Sequence, residues 1–287
     1  MSKKALCVGI NDYAGFANDL KGCVNDANDW EAVLQYAGFH VEKVLDAQAT
    51  RDRILSTFEN LVTTAQAGDE IVFTYSGHGT SVTDTSGDEI DSYDEALVVR
   101  DSTLLDDELR TILAKANPEA HITVISDSCF SGTVTRALIS ETAAPRFIKT
   151  DDIPQTATLK KRFLEDADMV EILISGCTDS EYSYDAEING RWNGAMTAHA
   201  ISVMRDGQTY AEFYEKLREH LPSDDYPQTP QLEGTEANKT RQVFATNTEP
   251  LPHPEPVVTG GFWAWVKKNW WIILLVIILV VILWRVF

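Results

Sequence analysis

The chain has 287 residues, and 44% of them are hydrophobic, which is enough to build a full core and excludes a chain that is disordered overall. Its 44 acidic and 24 basic residues give a formal net charge of −20, and an acidic surface repels nucleic-acid backbones. The charge therefore excludes nucleic acid as an expected partner. A negative surface favours basic substrates or hard cations such as calcium as partners, although the need for solubility alone would also explain the net charge.

The cysteine pattern argues against a zinc site and against a disulfide framework. Zinc sites usually take their ligands from close pairs, whereas the cysteines of this chain are far apart in the sequence, at Cys7, Cys23, Cys129 and Cys177. The first residues form only a short apolar run before Asn11, which is typical of a strand and not of a signal peptide. We therefore expect free thiols in a reducing cytoplasm.

Strand-like and helix-like segments alternate along the first 246 residues. Short apolar runs predict strands over 4–10, 39–45, 70–75, 122–125, 169–175 and 241–246. Apolar residues at helical spacing predict helices over 26–37, 50–66, 106–116, 194–204 and 210–220. Such alternation is typical of a mainly parallel sheet in an α/β domain, in which active sites form at the carboxyl ends of the strands.

Residues 137–168 show no clear periodicity. They contain Pro145, Pro154 and a scatter of basic residues, which are Arg146, Lys149, Lys160, Lys161 and Arg162. This composition predicts an exposed linker between two halves of one domain.

The C-terminal segment 262–287 is predicted to be a transmembrane helix. In Trp271–Leu283, twelve of thirteen residues are Ile, Leu or Val, and together they favour insertion by about 5 kcal/mol. A buried core helix and an interfacial helix are the alternatives, but the segment has no polar face and follows a proline-rich linker, 247–261. Lys267 and Lys268 precede the apolar run, which predicts a C-terminally anchored protein with its folded domain in the cytoplasm.

Two short motifs contain the candidate catalytic residues. His78 lies between two glycines directly after one apolar strand, and Cys129 follows another. If the two strands are neighbours, both side chains reach the same edge of the sheet. An imidazole beside a thiol can then generate a nucleophilic thiolate. A buried structural cysteine and a histidine without a catalytic role remain the alternative.

The order of several motifs resembles the metacaspase branch of the caspase-like cysteine peptidases. The sequence reads YSGHGT around His78, then GDEIDSYDEAL, then DSCFSGT around Cys129, and the cysteine lies 51 positions after the histidine. The resemblance covers about residues 3–245. It departs from the family at Phe130, where the family commonly has histidine, and at Arg136, where it often has aspartate.

The resemblance implies a caspase-like three-layer sandwich with a mainly parallel six-stranded sheet and helices on both faces. Residues 1–246 would form the peptidase domain, with a large-subunit-like part (1–140), the linker (141–168) and a small-subunit-like part (169–246). Cys129 would attack the peptide carbonyl, His78 would transfer the proton, and the amides of Gly79 and Cys129 would form the oxyanion hole. The basic residues of the linker, Lys149 and the cluster 160–162, are then candidate sites of self-cleavage.

The resemblance also implies cleavage of protein or peptide substrates after Arg or Lys. The residues that line the basic-specificity pocket of the family correspond to Cys23, Asp26, Ser76 and Asp127, and Asp179 can add to the negative field. The alternative for Asp26 is that it only caps the helix that is predicted to start there.

Calcium is the one cofactor that the resemblance implies. Ten acidic residues and one base lie between Asp84 and Glu108, and hard oxygen ligands of this kind suit calcium. The family's ligands correspond to Asp91, Asp106 and Asp107. The alternative is a solvated acidic loop, and Arg136 in place of an aspartate weakens the calcium hypothesis.

Two other functions remain open. One is a catalytically silent, membrane-bound adaptor with a caspase fold, although the intact pair of His78 and Cys129 argues against it. The other is a legumain- or gingipain-like peptidase of the same fold, against which the pair Cys23 and Asp26 argues.

Overall fold

In a computed structural model of the chain, the residues described are 1–13, 18–83, 93–129, 142–149, 153, 169–178 and 180–244. Among them, no helix is long and apolar enough to cross a membrane. The predicted anchor 262–287 and the proline-rich linker 247–261 lie outside this part of the chain, and so do Asp91, Phe130, Arg136 and Asp179.

The described residues form the following strands and helices, numbered in chain order. The strands are β1 (Lys3–Gly9), β2 (His40–Leu45), β3 (Glu70–Ser76), β4 (Gly79–Thr83), β5 (Tyr93–Val98), β6 (Thr103–Leu105), β7 (His121–Asp127), β8 (Ala143–Pro145), β9 (Glu171–Ser175), β10 (Tyr184–Ile188), β11 (Arg191–Gly194) and β12 (Gln231–Glu233). The helices are α1 (Cys23–Tyr36), α2 (Arg51–Thr64), α3 (Asp106–Leu113), α4 (Ala195–Val203), α5 (Tyr210–Arg218) and α6 (Glu236–Lys239).

A six-stranded sheet forms the centre of the domain, in the order β12-β9-β7-β3-β1-β2. Strands β9, β7, β3, β1 and β2 are parallel to one another, and β12 at the edge runs antiparallel to β9. The prediction of a mainly parallel six-stranded sheet is therefore confirmed.

Helices cover both faces of this sheet. Successive side chains of a strand point to opposite faces of the sheet, and β1 is an example. Leu6 and Val8 pack in the same core as the apolar residues of α2 and α3, whereas Ala5 and Cys7 pack in the core that contains α1, α4 and α5. The prediction of three layers is therefore confirmed as well.

The sixth strand of the central sheet is not the one that the sequence predicts. Residues 241–246 were predicted as a short strand, but the described part, 241–244, forms only an isolated bridge between Gln242 and Thr209. Val243 and Phe244 are instead buried in the core beside α5. The true edge strand, β12, has the sequence QLE and is half-buried, so it lacks the apolar run that would have identified it.

Two small antiparallel sheets, β4-β5-β6 and β11-β10-β8, flank the central one and were not predicted. The second of these sheets shows that the prediction of an exposed linker over 137–168 was wrong for its described residues around β8. Its strand β8 pairs with β10, and Arg146 and Ile148, which follow β8, are buried. An arginine after a proline gives no sign in the sequence that it will be buried, because its burial depends on distant carboxylates.

We expect Gly9→Ala to destabilise the fold, because Gly9 allows β1 and α1 to approach each other closely. An added Cβ would overlap the carbonyl oxygen of Cys23 and lie 2.9 Å from the Cβ of Ala27. Such overpacking costs about 1–3 kcal/mol, which urea denaturation would measure. Ser56→Ala, at an exposed position on α2, should change the unfolding free energy by less than about 0.5 kcal/mol. Equal stabilities for the two variants would contradict this account of Gly9.

Candidate active site

The register of β3 and β7 brings His78 and Cys129 to the same edge of the sheet. The two strands are parallel neighbours, and Ser76 pairs with Asp127 at their carboxyl ends. His78 and Cys129 each come two residues after this pair. Both side chains are buried.

Two tyrosines and a backbone carbonyl fix the position of His78. Its backbone N–H donates to the hydroxyl of Tyr13 (2.8 Å), and its carbonyl accepts from the hydroxyl of Tyr75 (2.8 Å). The imidazole packs against the Tyr13 ring, with 4.7 Å between centroids. On the other side of the ring, Nε2 lies 2.8 Å from the carbonyl oxygen of Asn18.

This hydrogen bond leaves the second ring nitrogen available as a base. A carbonyl oxygen can only accept, so Nε2 carries the proton and Nδ1 keeps its lone pair. Nδ1 is buried and has no hydrogen-bond partner among the described residues. Burial lowers the pKa of His78 to about 4; the Asn18 carbonyl opposes the shift, and the charge of Arg146 adds to it. The imidazole is therefore neutral at pH 7.

Two backbone amides converge on one carbonyl oxygen beside the thiol. The N–H of Gly79 donates to the carbonyl of Arg146 at 2.9 Å, and the N–H of Cys129 donates to the same oxygen at 3.4 Å. These are the two amides that the sequence analysis assigned to an oxyanion hole. The thiol of Cys129 lies 3.7 Å from the carbonyl oxygen of Ser183.

The side chain of the same Arg146 fills a pocket of three carboxylates. Nη2 lies 2.6 Å from Asp26 Oδ2 and 3.0 Å from Asp185 Oδ1, and Nη1 lies 3.4 Å from Asp127 Oδ2. All four side chains are at most 1% exposed. Burial alone would lower the pKa of Arg146, but Cys23 and the surrounding aspartates raise it well above its usual value.

Each carboxylate of this pocket is also held by the surrounding protein. Asp26 accepts from the Asn193 side chain and from the Gly194 amide, both at 2.9 Å. Asp127 accepts from the amide and hydroxyl of Thr197 at 2.9 and 2.8 Å, and from the hydroxyl of Ser183. Asp185 accepts from the amides of Lys21 and Gly22 at 2.8 and 3.0 Å. The pocket is thus built to hold three carboxylates in fixed positions.

Asp26 is part of the pocket and does not cap a helix. Helix α1 begins at Cys23, three residues earlier than predicted, and the residue at its N-terminal cap is Gly22. Burial raises the pKa of Asp26 to about 6, against the opposing charge of Arg146.

The other predicted pocket residues are Cys23 and Ser76, and both are buried. Burial raises the pKa of the Cys23 thiol well above its usual value, so this thiol is neutral. Asp179 lies outside the described residues.

Three residues that build the pocket were not predicted from the sequence, namely Ser183, Asp185 and Asn193. Asp185 lies on β10 and is one of 44 acidic residues in the chain. No spacing distinguishes it in the sequence, because its role depends on where β10 and α1 meet.

The structure describes only part of the predicted calcium site. Asp106 and Asp107 lie in the first turn of α3, where Asp106 accepts from Arg110 Nε at 3.3 Å and Asp107 is buried. Asp91 is outside the described residues, and among the rest no group of three or more His, Cys, Asp and Glu side chains could hold a metal ion.

We expect the imidazole of His78 to titrate near pH 4 in the intact, folded chain with Cys129→Ala, measured by NMR on ring-labelled histidine. A lowered pKa means that the neutral ring stabilises the fold fully above pH 6.5, and that this contribution is lost as the pH falls through about 4. A His78 pKa above 6 would contradict the described burial.

Comparison with known proteins is consistent with this geometry. The family described as the caspase domain matches residues 2–241. Metacaspase-1 of Yarrowia lipolytica is 33% identical over 294 residues, covering 84% of this chain and 63% of that protein. Metacaspase-1 of Cryptococcus neoformans is 30% identical over 295 residues, covering 84% of this chain and 64% of that protein. The chain thus spans slightly less than two thirds of the length of these two relatives.

Solved structures show the same fold. A crystal structure of a protein from Geobacter sulfurreducens is 29% identical, with a TM-score of 0.69, covering 86% of this chain and 100% of that one. Caspase-1 from Spodoptera frugiperda is 11% identical, with a TM-score of 0.55, covering 87% of this chain and 92% of that one, and it supports the fold alone. The expected caspase-like α/β fold is confirmed, and the chain belongs to the caspase domain family.

Proposed function

We propose that the chain is a cysteine endopeptidase that cleaves peptide bonds after Arg or Lys, with Cys129 as nucleophile and His78 as proton-transfer residue. One observation supports this proposal most directly. The side chain and the carbonyl of a single residue, Arg146, occupy the acidic pocket and the site between the amides of Gly79 and Cys129 at the same time.

The proposed reaction follows from the groups around the thiol. Nδ1 of His78 accepts the proton of Cys129, and the thiolate attacks the substrate carbonyl. The negative charge that develops on the carbonyl oxygen is stabilised by the amides of Gly79 and Cys129. His78 then donates its proton to the leaving amine, and water hydrolyses the resulting thioester.

The preference for a basic residue follows from electrostatics. The carboxylates of Asp26, Asp127 and Asp185 are shielded from water, so a cation is strongly favoured between them and an acidic side chain is repelled. A guanidinium bridges two of them through one nitrogen and reaches the third through another. A lysine ammonium is a single point of charge and makes fewer of these contacts. Arg should therefore be preferred to Lys, and Asp should be rejected.

We expect the detergent-solubilised full chain to hydrolyse fluorogenic peptides that end in Arg faster than those ending in Lys, with no hydrolysis after Asp or Asn. Cys129→Ala and His78→Ala should abolish the signal. Asp185→Asn should lower kcat/KM for arginyl peptides by about 100-fold, which corresponds to about 2.7 kcal/mol.

The control for this assay is Asp224→Asn, which removes an exposed carboxylate and should leave kcat/KM unchanged. A folded chain that cleaves none of the peptides, with or without calcium, would favour the adaptor. Cleavage only after Asn would favour a legumain-like enzyme.

Calcium is proposed as an activating ion, with Asp91, Asp106 and Asp107 as ligands. The support is chemical: carboxylate oxygens are the donors that calcium prefers, and Asp106 and Asp107 are adjacent at the start of α3. When bound, calcium would supply positive charge that neutralises this acidic segment. Running the peptide assay in calcium and in chelator tests this proposal.

We also propose that residues 262–287 tether the protein to a membrane, with the peptidase domain in the cytoplasm. The support is the sequence itself, namely an uninterrupted apolar run with tryptophans at both ends and lysines before it.

We expect the full chain with Cys129→Ala to remain with the membrane pellet after an alkaline carbonate wash. The same variant ending at residue 261 should be recovered in the supernatant, because it lacks the apolar segment. The catalytic substitution prevents self-cleavage from complicating the comparison. Recovery of both forms in the supernatant would contradict the tether.

A further inference from the structure

Two of the four cysteines, Cys129 and Cys177, follow neighbouring parallel strands. Ser126 of β7 pairs with Ser175 of β9 near the carboxyl ends of both strands. Cys129 comes three residues after this pair and Cys177 comes two residues after it. Strand β9 therefore brings a second thiol to the edge of the sheet at which β3 and β7 place His78 and Cys129.

The two thiols are in contact. The Cys177 thiol is hydrogen-bonded to the side chain of Cys129. It also lies 3.6 Å from the carbonyl oxygen of Ser128, the residue directly before Cys129, and 3.5 Å from the carbonyl oxygen of Glu181. Both cysteines are free and are buried in the same small cluster. The fold thus holds two reduced sulfurs side by side.

The two thiols differ in how readily they ionise. The hydrogen bond to Cys129, followed by burial, raises the pKa of Cys177 well above its usual value, so Cys177 keeps its proton at pH 7. Cys129 is the thiol whose proton the neutral imidazole of His78 accepts in the proposed reaction. A thiolate is the form of cysteine that oxidants attack, so Cys129 is the sulfur that reacts first.

The other two cysteines lie elsewhere. Cys7 is buried in the core that contains α1, α4 and α5, and Cys23 is buried in the core with α2 and α3. Burial raises the pKa of Cys7 to about 12 and that of Cys23 well above its usual value. Contact and reactivity together therefore select Cys177 as the partner of Cys129.

We propose that Cys177 is a resolving thiol, which forms a reversible disulfide with Cys129 when a hydroperoxide oxidises the Cys129 sulfur. The disulfide would block the nucleophile and protect it from irreversible oxidation. Disulfides in a reducing cytoplasm are usually transient ones of this kind. The inference rests on the proposed function, which makes Cys129 the nucleophile, and adds a covalent modification of the same site.

The reaction consumes one hydroperoxide, here hydrogen peroxide. The Cys129 thiolate attacks one peroxide oxygen, the O–O bond breaks, and the departing hydroxide takes the proton that His78 received from the thiol. Cys129 then carries a sulfenic acid. The Cys177 sulfur attacks the Cys129 sulfur, the S–O bond breaks, and the departing hydroxide takes the Cys177 proton. Two thiols are oxidised to one disulfide, and the peroxide is reduced to two water molecules.

The geometry favours this internal disulfide over reaction with an outside thiol. Neighbouring strands lie about 4.8 Å apart, which is within the range of about 4.4–6.8 Å that a disulfide spans between Cα atoms. Cys129 is 0% exposed and Cys177 is 6% exposed. A small peroxide suits such a site better than a bulky thiol such as glutathione, so Cys177 should react with the sulfenic acid first.

The first test treats the detergent-solubilised full chain with hydrogen peroxide, blocks the remaining thiols and digests the chain without reductant. Mass spectrometry should find the peptide that contains Cys129 linked to the peptide that contains Cys177, and dithiothreitol should remove the link. Cys177→Ala should instead carry sulfinic acid at Cys129. The matched control Cys7→Ala, which also removes a buried cysteine, should form the link like the wild type.

Recovery of activity is the second readout. Each variant is compared with its own untreated rate on an arginyl peptide. After peroxide and then dithiothreitol, Cys177→Ala should recover about tenfold less of its rate than the wild type or Cys7→Ala, because thiols do not reduce sulfinic acid. Equal recovery would contradict the resolving role. If Cys177→Ala does not fold, Cys177→Ser is the second variant, since it keeps a hydrogen-bond donor but has no sulfur.

The two readouts separate this inference from the proposed function. A wild-type chain that hydrolyses arginyl peptides, but whose oxidised form links Cys129 to another cysteine or to none, would overturn the resolving thiol and leave the peptidase standing. A link between Cys129 and Cys177 in a chain that hydrolyses no peptide, in calcium or in chelator, would overturn the peptidase and leave the disulfide standing.

Discussion

Three buried aspartates around one guanidinium are the interaction on which the active site depends. Removing charged groups from water is costly, and it is offset only when each charge meets an opposite charge and further hydrogen bonds. Asp26, Asp127 and Asp185 meet that condition because the protein supplies amide and hydroxyl donors and Arg146 supplies the cation. A pocket of this kind favours a basic side chain, and this electrostatic preference supports the proposed specificity for Arg or Lys.

The parallel sheet places this acidic pocket next to the proposed catalytic residues. Asp127 ends β7 and contributes to the pocket, and Cys129 follows it by two residues. The neighbouring strand β3 ends at Ser76 and delivers His78 in the same register. The acidic pocket and the proposed nucleophile and base therefore lie along one edge of the sheet.

The chain's own Arg146 supplies the cation of the acidic pocket. Its charge offsets part of the negative charge of the three carboxylates, whose charges in turn raise the pKa of Arg146. Burial keeps the nearby imidazole of His78 in its neutral form.

The sequence by itself determined the α/β class, the mainly parallel sheet and the placement of His78 and Cys129 after two apolar strands, because apolar runs are local signals. It also named Asp26 and Asp127 through a family resemblance. The tertiary structure alone decided the roles of Asp185, Ser183 and Arg146, since these depend on where β8, β10 and α1 meet, and residues far apart in the chain carry no shared local pattern. The edge strand β12 and the burial of Arg146 were missed for the same reason: long-range pairing of charge and backbone leaves no periodicity in the sequence.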